Sequence, residues 1–216
     1  MDPLLLLMDS LLHLDRHIEA LVQSYGGWVY AILFLIVFCE TGFVALPFLP
    51  GDSLLFVAGA IAGAGVLDPV VLSASLLVAA ICGDAANYYI GRRTGPAAFD
   101  ARTSHVFKHA YLVRTQAFYK RRGEITILIA RFLPVIRTFA PFVAGIDRMH
   151  YGWFTAYNVF GAVAWVVILV GAGYLLGDRP WVQENLSLVI LLSIVATFVP
   201  MVVEMARQHR LTWWTR

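Results

Sequence analysis

Phe48-Leu49-Pro50 is followed by Phe56-Val57-Ala58-Gly59, and the same two words return as Phe132-Leu133-Pro134 and Phe142-Val143-Ala144-Gly145. This internal repeat restricts the fold more than anything else in the chain. Both copies are apolar, and both are interrupted by proline, which removes a backbone N–H and disfavours helix at the residue before it. Their charges differ: Glu40 lies upstream of the first copy and Asp52 inside it, whereas Arg131 immediately precedes the second and Arg137 lies inside it. Two interrupted apolar segments in corresponding halves, one acidic and one basic, predict an inverted repeat whose half-helices face each other near a bilayer midplane.

The solvent implied by the composition is lipid. Of 216 residues, 60% are hydrophobic and 14% charged, with a mean hydropathy of +0.74, against about 25% charged in water-soluble domains. The apolar residues come in long runs, Trp28 to Leu49, Leu54 to Val66 and Val70 to Cys82, as in an integral membrane protein. Cys39 and Cys82 are the only cysteines and fall inside such runs. They read as small packing residues, with no disulfide or metal pattern.

Half of the sixteen Lys and Arg residues fall in one central stretch, from Arg92 and Arg93 to Lys120, Arg121 and Arg122. The positive-inside rule makes residues 92–123 cytoplasmic, together with a basic tail at 205–216. The aromatic residues among these cations suit amphipathic helices on an anionic leaflet, so no nucleic acid is expected. Residues 1–25 carry acids, His13 and His17 among leucines, a pattern that predicts an amphipathic helix in the interface. No signal peptide is read there, since the basic leading segment is missing.

Between these ends lies a single membrane domain, residues 26–204. A helix from Trp28 to about Leu46 carries Glu40; Pro47 and Pro50 then break the chain. The dozen apolar residues after them are too few to cross a core of roughly 30 Å, so residues 47–66 predict a re-entrant hairpin. Val70 to Gly91 is long enough to span, and its Asp84, Asn87, Tyr88 and Gly91 share one polar stripe that must face other helices. Residues 124–146 predict a second hairpin, broken at Pro134 and Pro141; Trp153 to Leu176 and Leu186 to Val203 predict further crossings. The expected fold is all-α, with two opposed re-entrant hairpins and three to four full transmembrane helices.

An ionised side chain at the middle of a membrane helix costs roughly 2.5–3.5 kcal/mol on insertion scales. Glu40, Asp52, Arg131 and Arg137 could neutralise each other and merely fix the fold, but pairing alone does not require broken helices. Arg131 and Arg137 would diverge on an intact helix, and Pro134 between them permits convergence. Two guanidinium forks in a partly dry pocket suit a phosphate headgroup. Glu40 and Asp52 cannot bind an anion while ionised, and point instead to proton coupling or gating, or to fixed salt bridges. Asp84, Asn87 and Tyr88 read as supporting polar contacts. No motif of a hydrolase, nucleotide-binding or metalloenzyme site occurs, so neither enzyme activity nor a cofactor is expected.

Three groups of residues together resemble the DedA family, the bacterial branch of the VTT-domain (SNARE-associated Golgi) proteins, over about Gly26 to Gly177. The first is Glu40 with Pro47-x-x-Pro50-Gly51-Asp52. The second is Gly83-Asp84-x-x-Asn87-Tyr88-x-Ile90-Gly91-Arg92-x-x-Gly95. The third is Gly123 leading to Arg131-Phe132-x-Pro134-x-x-Arg137-x-x-x-Pro141-x-x-Ala144-Gly145. The resemblance implies that Glu40, Asp52, Arg131 and Arg137 occupy the family's required positions. One departure is Arg122, where the family often has a His before the glycine.

The function implied is a flippase returning undecaprenyl phosphate or a related anionic lipid across the bacterial inner membrane for envelope synthesis, linked to the proton-motive force. Its partners would be that lipid, protons and membrane lipids, with a homo-oligomer left open. The alternatives are a proton-coupled exporter or antiporter for small ions or solutes, and a non-transporting scaffold.

Overall fold

The computed structural model describes residues 26–43, 51–94, 109–177 and 179–184, with Leu188 and Leu192. The expected N-terminal amphipathic helix, Pro47 and Pro50, the middle of the basic section, the last crossing and the basic tail lie outside these residues. Among the described residues the fold is helical, with no strand. In chain order it runs α1 (Trp28–Gly42), α2 (Gly51–Gly63), α3 (Pro69–Thr94), α4 (His109–Arg122), a 3₁₀ turn (Gly123–Ile125), α5 (Thr126–Ala130), α6 (Pro134–Ile146), α7 (Tyr151–Gly177) and α8 (Pro180–Glu184).

Helix length separates these elements into two kinds. Helices α3 and α7 have 26 and 27 residues, about 40 Å at 1.5 Å per residue, long and apolar enough to cross a bilayer. Helices α1, α2 and α6 have 15, 13 and 13 residues and α5 only five. Each long helix begins on a side chain that accepts from its first turn. Asp68 Oδ1 accepts from the backbone N–H of Val70 and Val71 at 2.8 and 2.9 Å, and His150 Nδ1 accepts from Gly152 N–H at 3.3 Å.

The second repeat copy is interrupted at Arg131–Leu133. Phe132 N–H donates to Ile129 O and Leu133 N–H to Ala130 O, closing tight turns; Leu133 is extended, and Pro134 restarts the helix at its first position. The break expected at Pro141 is absent, because α6 continues through that residue to Ile146. Pro141 only withholds one N–H from the carbonyl one turn back, and a helix seated against neighbours tolerates that loss. Gly123, at φ 66°, takes the left-handed conformation that turns the chain from α4 into the 3₁₀ turn.

The chain forms two compact units. One comprises the described parts of Met1–Val29, Pro50–Leu72 and Leu169–Arg216, the other those of Tyr30–Leu49 and Ser73–Ile168. In the first, α2 lies on the C-terminal part of α7 with backbones nearly touching. A Cβ on Gly59 would run into the carbonyl of Val170, and one on Gly173 into that of Phe56. In the second, α6 lies on α3 in the same way. A Cβ on Gly145 would run into the carbonyl of Tyr88, and one on Gly91 into that of Phe142.

The two seats share a register. Gly59 and Gly145 close the repeated Phe-Val-Ala-Gly words, and in each long helix the second glycine comes three residues after the carbonyl that the first one meets. The short helix of each copy therefore rests on the long helix that follows the other copy. Lipid tails give no hydrophobic drive between helices, so small residues that admit close backbone packing are what can hold such a pair.

The remaining packing of the second unit is apolar. Tyr88, Ile127, Ala130, Ala140, Ala144 and Phe154 form one buried cluster, within which the Tyr88 and Phe154 rings stack with centroids 4.5 Å apart. Helix α1 meets α3 through glycine, since a Cβ on Gly83 would lie 2.9 Å from Phe38 O. Large apolar side chains such as Ile32, Leu35, Val78, Phe160, Val167 and Ile168 are exposed while Glu40, Asp84 and Arg131 are buried. That inversion of the water-soluble pattern is what a lipid solvent favours. Cys82, read from the sequence as a packing residue, is exposed on α3.

Candidate functional site

The second unit contains a small cavity lined by Glu40, Thr41, Asp84, Arg131, Arg137 and Trp165, with Ile127, Thr138 and Pro141 completing the wall. Four elements supply its polar groups. Glu40 comes from the last turn of α1 and Asp84 from the middle of α3, one residue beyond the glycine that admits α1. Arg131 stands in the turn between α5 and α6, and Arg137 in the first turn of α6. The proline-restarted helix thus brings together two arginines that an intact helix would have pointed apart.

Each arginine is paired. Arg137 Nη2 donates to Glu40 Oε1. Arg131 Nη2 donates to Asp84 Oδ2 and also to Asn158 Oδ1, the latter at 2.9 Å. Asn158 is held in turn, its Nδ2 donating to Ile81 O at 3.1 Å. Glu40 is 4% exposed, Asp84 6% and Arg131 7%, so the pairing takes place in a dry setting where an uncompensated charge would be costly. Arg131 Nη1 is buried and makes no hydrogen bond among the described residues.

Both guanidiniums also lie over the indole of Trp165, Arg131 at 5.6 Å and Arg137 at 5.3 Å from the ring centroid, within cation–π range. The cavity measures about 20 Å³, room for about one water. A phosphate group does not fit without moving side chains.

Asn87, fully buried, clips the two helices that carry the Glu40–Arg137 pair. Its Nδ2 donates to Thr41 O on α1 at 3.1 Å and to Thr138 O on α6 at 2.8 Å. Tyr88 closes the far side of the same stripe, its hydroxyl donating to Met149 O at 2.5 Å and accepting from Arg92 at 3.1 Å. Beyond the membrane helices, Tyr119 on α4 is partly buried, and its hydroxyl is pushed up to about 12 by desolvation first and by the nearby Glu124 and Asp147 carboxylates second.

Of the four charges singled out in the sequence, Glu40, Arg131 and Arg137 meet in this cavity; Asp52 lies in the first turn of α2, in the other unit. Asp84 takes the place beside Arg131 that sequence reasoning offered to Glu40 or Asp52. Asn158, Gly161 and Trp165 went unnoticed. Their signal is a one-faced i, i+3, i+7 spacing inside an otherwise apolar α7.

Comparison with known proteins matches residues 49–175 to the VTT domain. The chain is 52% identical over 212 residues to Protein DedA of Escherichia coli (strain K12), covering 97% of both chains. It is 42% identical over 166 residues to an uncharacterized membrane protein of Mycobacterium leprae (strain TN), covering 77% of this chain and 74% of the relative. To the inner membrane protein YqjA of Escherichia coli (strain K12) it is 33% identical over 181 residues, 80% of each. No solved structure matches.

Proposed function

Since this chain belongs to the DedA family of VTT-domain membrane proteins, we propose that it is a multi-pass inner-membrane translocase for a phosphate-headed lipid. Undecaprenyl phosphate, returned for envelope synthesis, is the substrate that the family resemblance favours. The carrying observation is the convergence of Arg131 and Arg137 in one buried cavity, each on a carboxylate from a different helix. The equivalent glycine seats of α2 and α6 support an inverted repeat with two re-entrant hairpins.

The mechanism follows from exchange at the guanidinium edges. A phosphate held by paired bonds from both Nη atoms competes with Asp84 and Glu40 for the Nη2 donors, so such a headgroup enters as the carboxylates leave. A displaced carboxylate in a dry pocket is more stable neutral, which links headgroup binding to proton uptake. Glu40 and Asp84 carry that coupling at the cavity; Asp52, on the other copy, gates. The polyprenyl tail stays in lipid throughout.

The test is transbilayer movement of undecaprenyl phosphate in liposomes carrying the purified protein. Arg131→Ala and Arg137→Ala should each abolish movement, and Glu40→Gln should remove its response to a pH gradient. The small cavity, suited to water better than phosphate, favours as second reading a proton-coupled exporter of small ions or solutes. Loss of proton-driven solute flux, with lipid movement intact in the arginine variants, would establish that reading instead.

A further inference from the structure

We infer that Trp165 is the positioning residue of this site, a seat that keeps both guanidiniums facing the cavity when their carboxylates are displaced. The inference rests on the phosphate reading above and adds the group that makes the exchange feasible. A phosphate that grips either guanidinium through both of its Nη atoms needs the Nη2 hydrogens now given to Asp84 and Glu40, so a two-pronged hold on the headgroup displaces those pairs. An indole attracts the cation as a whole through its π density and takes none of those hydrogens. Trp165 can therefore hold Arg131 and Arg137 before, during and after the exchange.

The local architecture of α7 is arranged around this contact. Asn158, Gly161 and Trp165 fall on one face of the helix, and all three meet Arg131. Asn158 accepts from Nη2 at 2.9 Å. A Cβ on Gly161 would make ordinary van der Waals contact with Cδ and Nε at 3.5 Å, which places the arginine stem alongside this face of the helix. Trp165 lies under the guanidinium carbon at 5.6 Å and also serves Arg137 at 5.3 Å.

The indole is 4% exposed, and in such a desolvated setting the cation–π attraction is at its stronger end. Arg131 Nη1, buried and making no hydrogen bond among the described residues, is a donor available to a ligand while the seat is occupied. Without the ring, two like charges freed together would separate or withdraw, and the double fork would be lost.

The test uses the full-length protein in lipid nanodiscs, with tryptophan replaced by 5-fluorotryptophan and the Trp165 resonance assigned by Trp165→Phe. With no ligand, Arg131→Gln and Arg137→Gln should each shift the Trp165 line. Undecaprenyl phosphate in the nanodisc should shift it too. Binding of that lipid should weaken by about tenfold or more in Trp165→Leu, which keeps apolar bulk, and be largely restored in Trp165→Phe, which keeps a π face. The two variants should unfold at similar temperatures.

Equal lipid binding by the Leu and Phe variants would overturn the inference. So would a Trp165 line indifferent to both arginine substitutions. If the wild-type protein bound no phosphate-headed lipid while that line still answered to each arginine, the translocase reading would fall and the seat for the two cations would stand.

Discussion

Helices α2 and α6 hold the same kind of place and do different work. Each is the short helix of one repeat copy, and each is pressed by its Phe-Val-Ala-Gly glycine onto a long helix, α2 on Val170 of α7 and α6 on Tyr88 of α3. Around α6 the frame carries charge: Arg137 in its first turn, Arg131 just before it, Asp84 and Asn87 on its seat. Matching Tyr88 to Val170 sets Asn87 opposite Leu169 and Asp84 opposite Val166, so the corresponding face of α7 is apolar. The backbone arrangement is shared, while the paired charges of the cavity gather around α6. Close backbone packing tolerates side-chain change wherever the side chain points away from the glycine contact.

The largest way to sharpen that contrast is to remove charge. Arg131→Ala leaves Asp84 buried without its cation and should destabilise the protein by about 3–5 kcal/mol. Adding Asp84→Ala should recover part of that loss, since removing both partners is less costly than removing one. Asp52→Asn, at a half-buried carboxylate, should cost less than Arg131→Ala. Denaturant unfolding in detergent measures all three, and a larger loss from Asp52→Asn than from Arg131→Ala would reverse the comparison.

Next come the seats. Gly59→Val and Gly145→Val each drive a side chain into a carbonyl of the facing helix and should cost about 1–3 kcal/mol. Similar shifts in thermal midpoint are expected at the two positions. A silent Gly59 variant beside a severe Gly145 variant would break the equivalence of the two seats.

An effect no larger than these comes from making α3 resemble its counterpart. Asn87→Leu removes two hydrogen bonds, to Thr41 O and Thr138 O, and should cost about 1–3 kcal/mol. On the translocase reading proposed above, it should also slow lipid movement in the liposome assay, because the clip joins the helices that carry Glu40 and Arg137.

The smallest effect lies outside the membrane helices, at Tyr119. Its hydroxyl holds its proton up to about 12, against an ordinary value of 10.0. The folded protein therefore binds more protons than the unfolded chain between those values. Stability contributed here is complete below the lower value and declines as pH rises toward the upper one. Alkaline titration of tyrosinate absorbance, with Tyr119→Phe as the difference, should show one late-titrating group; its absence would place the hydroxyl in solvent.

Much of the frame was legible in the sequence because repeats and prolines act locally. The break before Pro134 and the convergence of Arg131 with Arg137 both follow from backbone rules. The polar stripe of Asp84, Asn87 and Tyr88 faces inward because lipid offers it nothing. Pro141 misled because proline's cost depends on what surrounds the helix, and α6 is supported on α3 by Gly91 and Gly145. The partner of Arg131 was hard to choose because several acids were available and chain order does not rank distances in space. Trp165 was hidden because a tryptophan in an apolar helix reads equally well as lipid-facing. Only the two arginines, remote in sequence, show which way it points.

The crossed seating of the short helices also bears on biosynthesis. Residues 51–63 emerge from the ribosome long before residues 170–177, the stretch of α7 on which α2 comes to rest. Until then the nascent α2 has its partner missing, and the unpaired backbone groups at its ends need shelter from lipid by the insertion machinery. Two separately expressed fragments divided within α4 should each be degraded alone and persist when produced together.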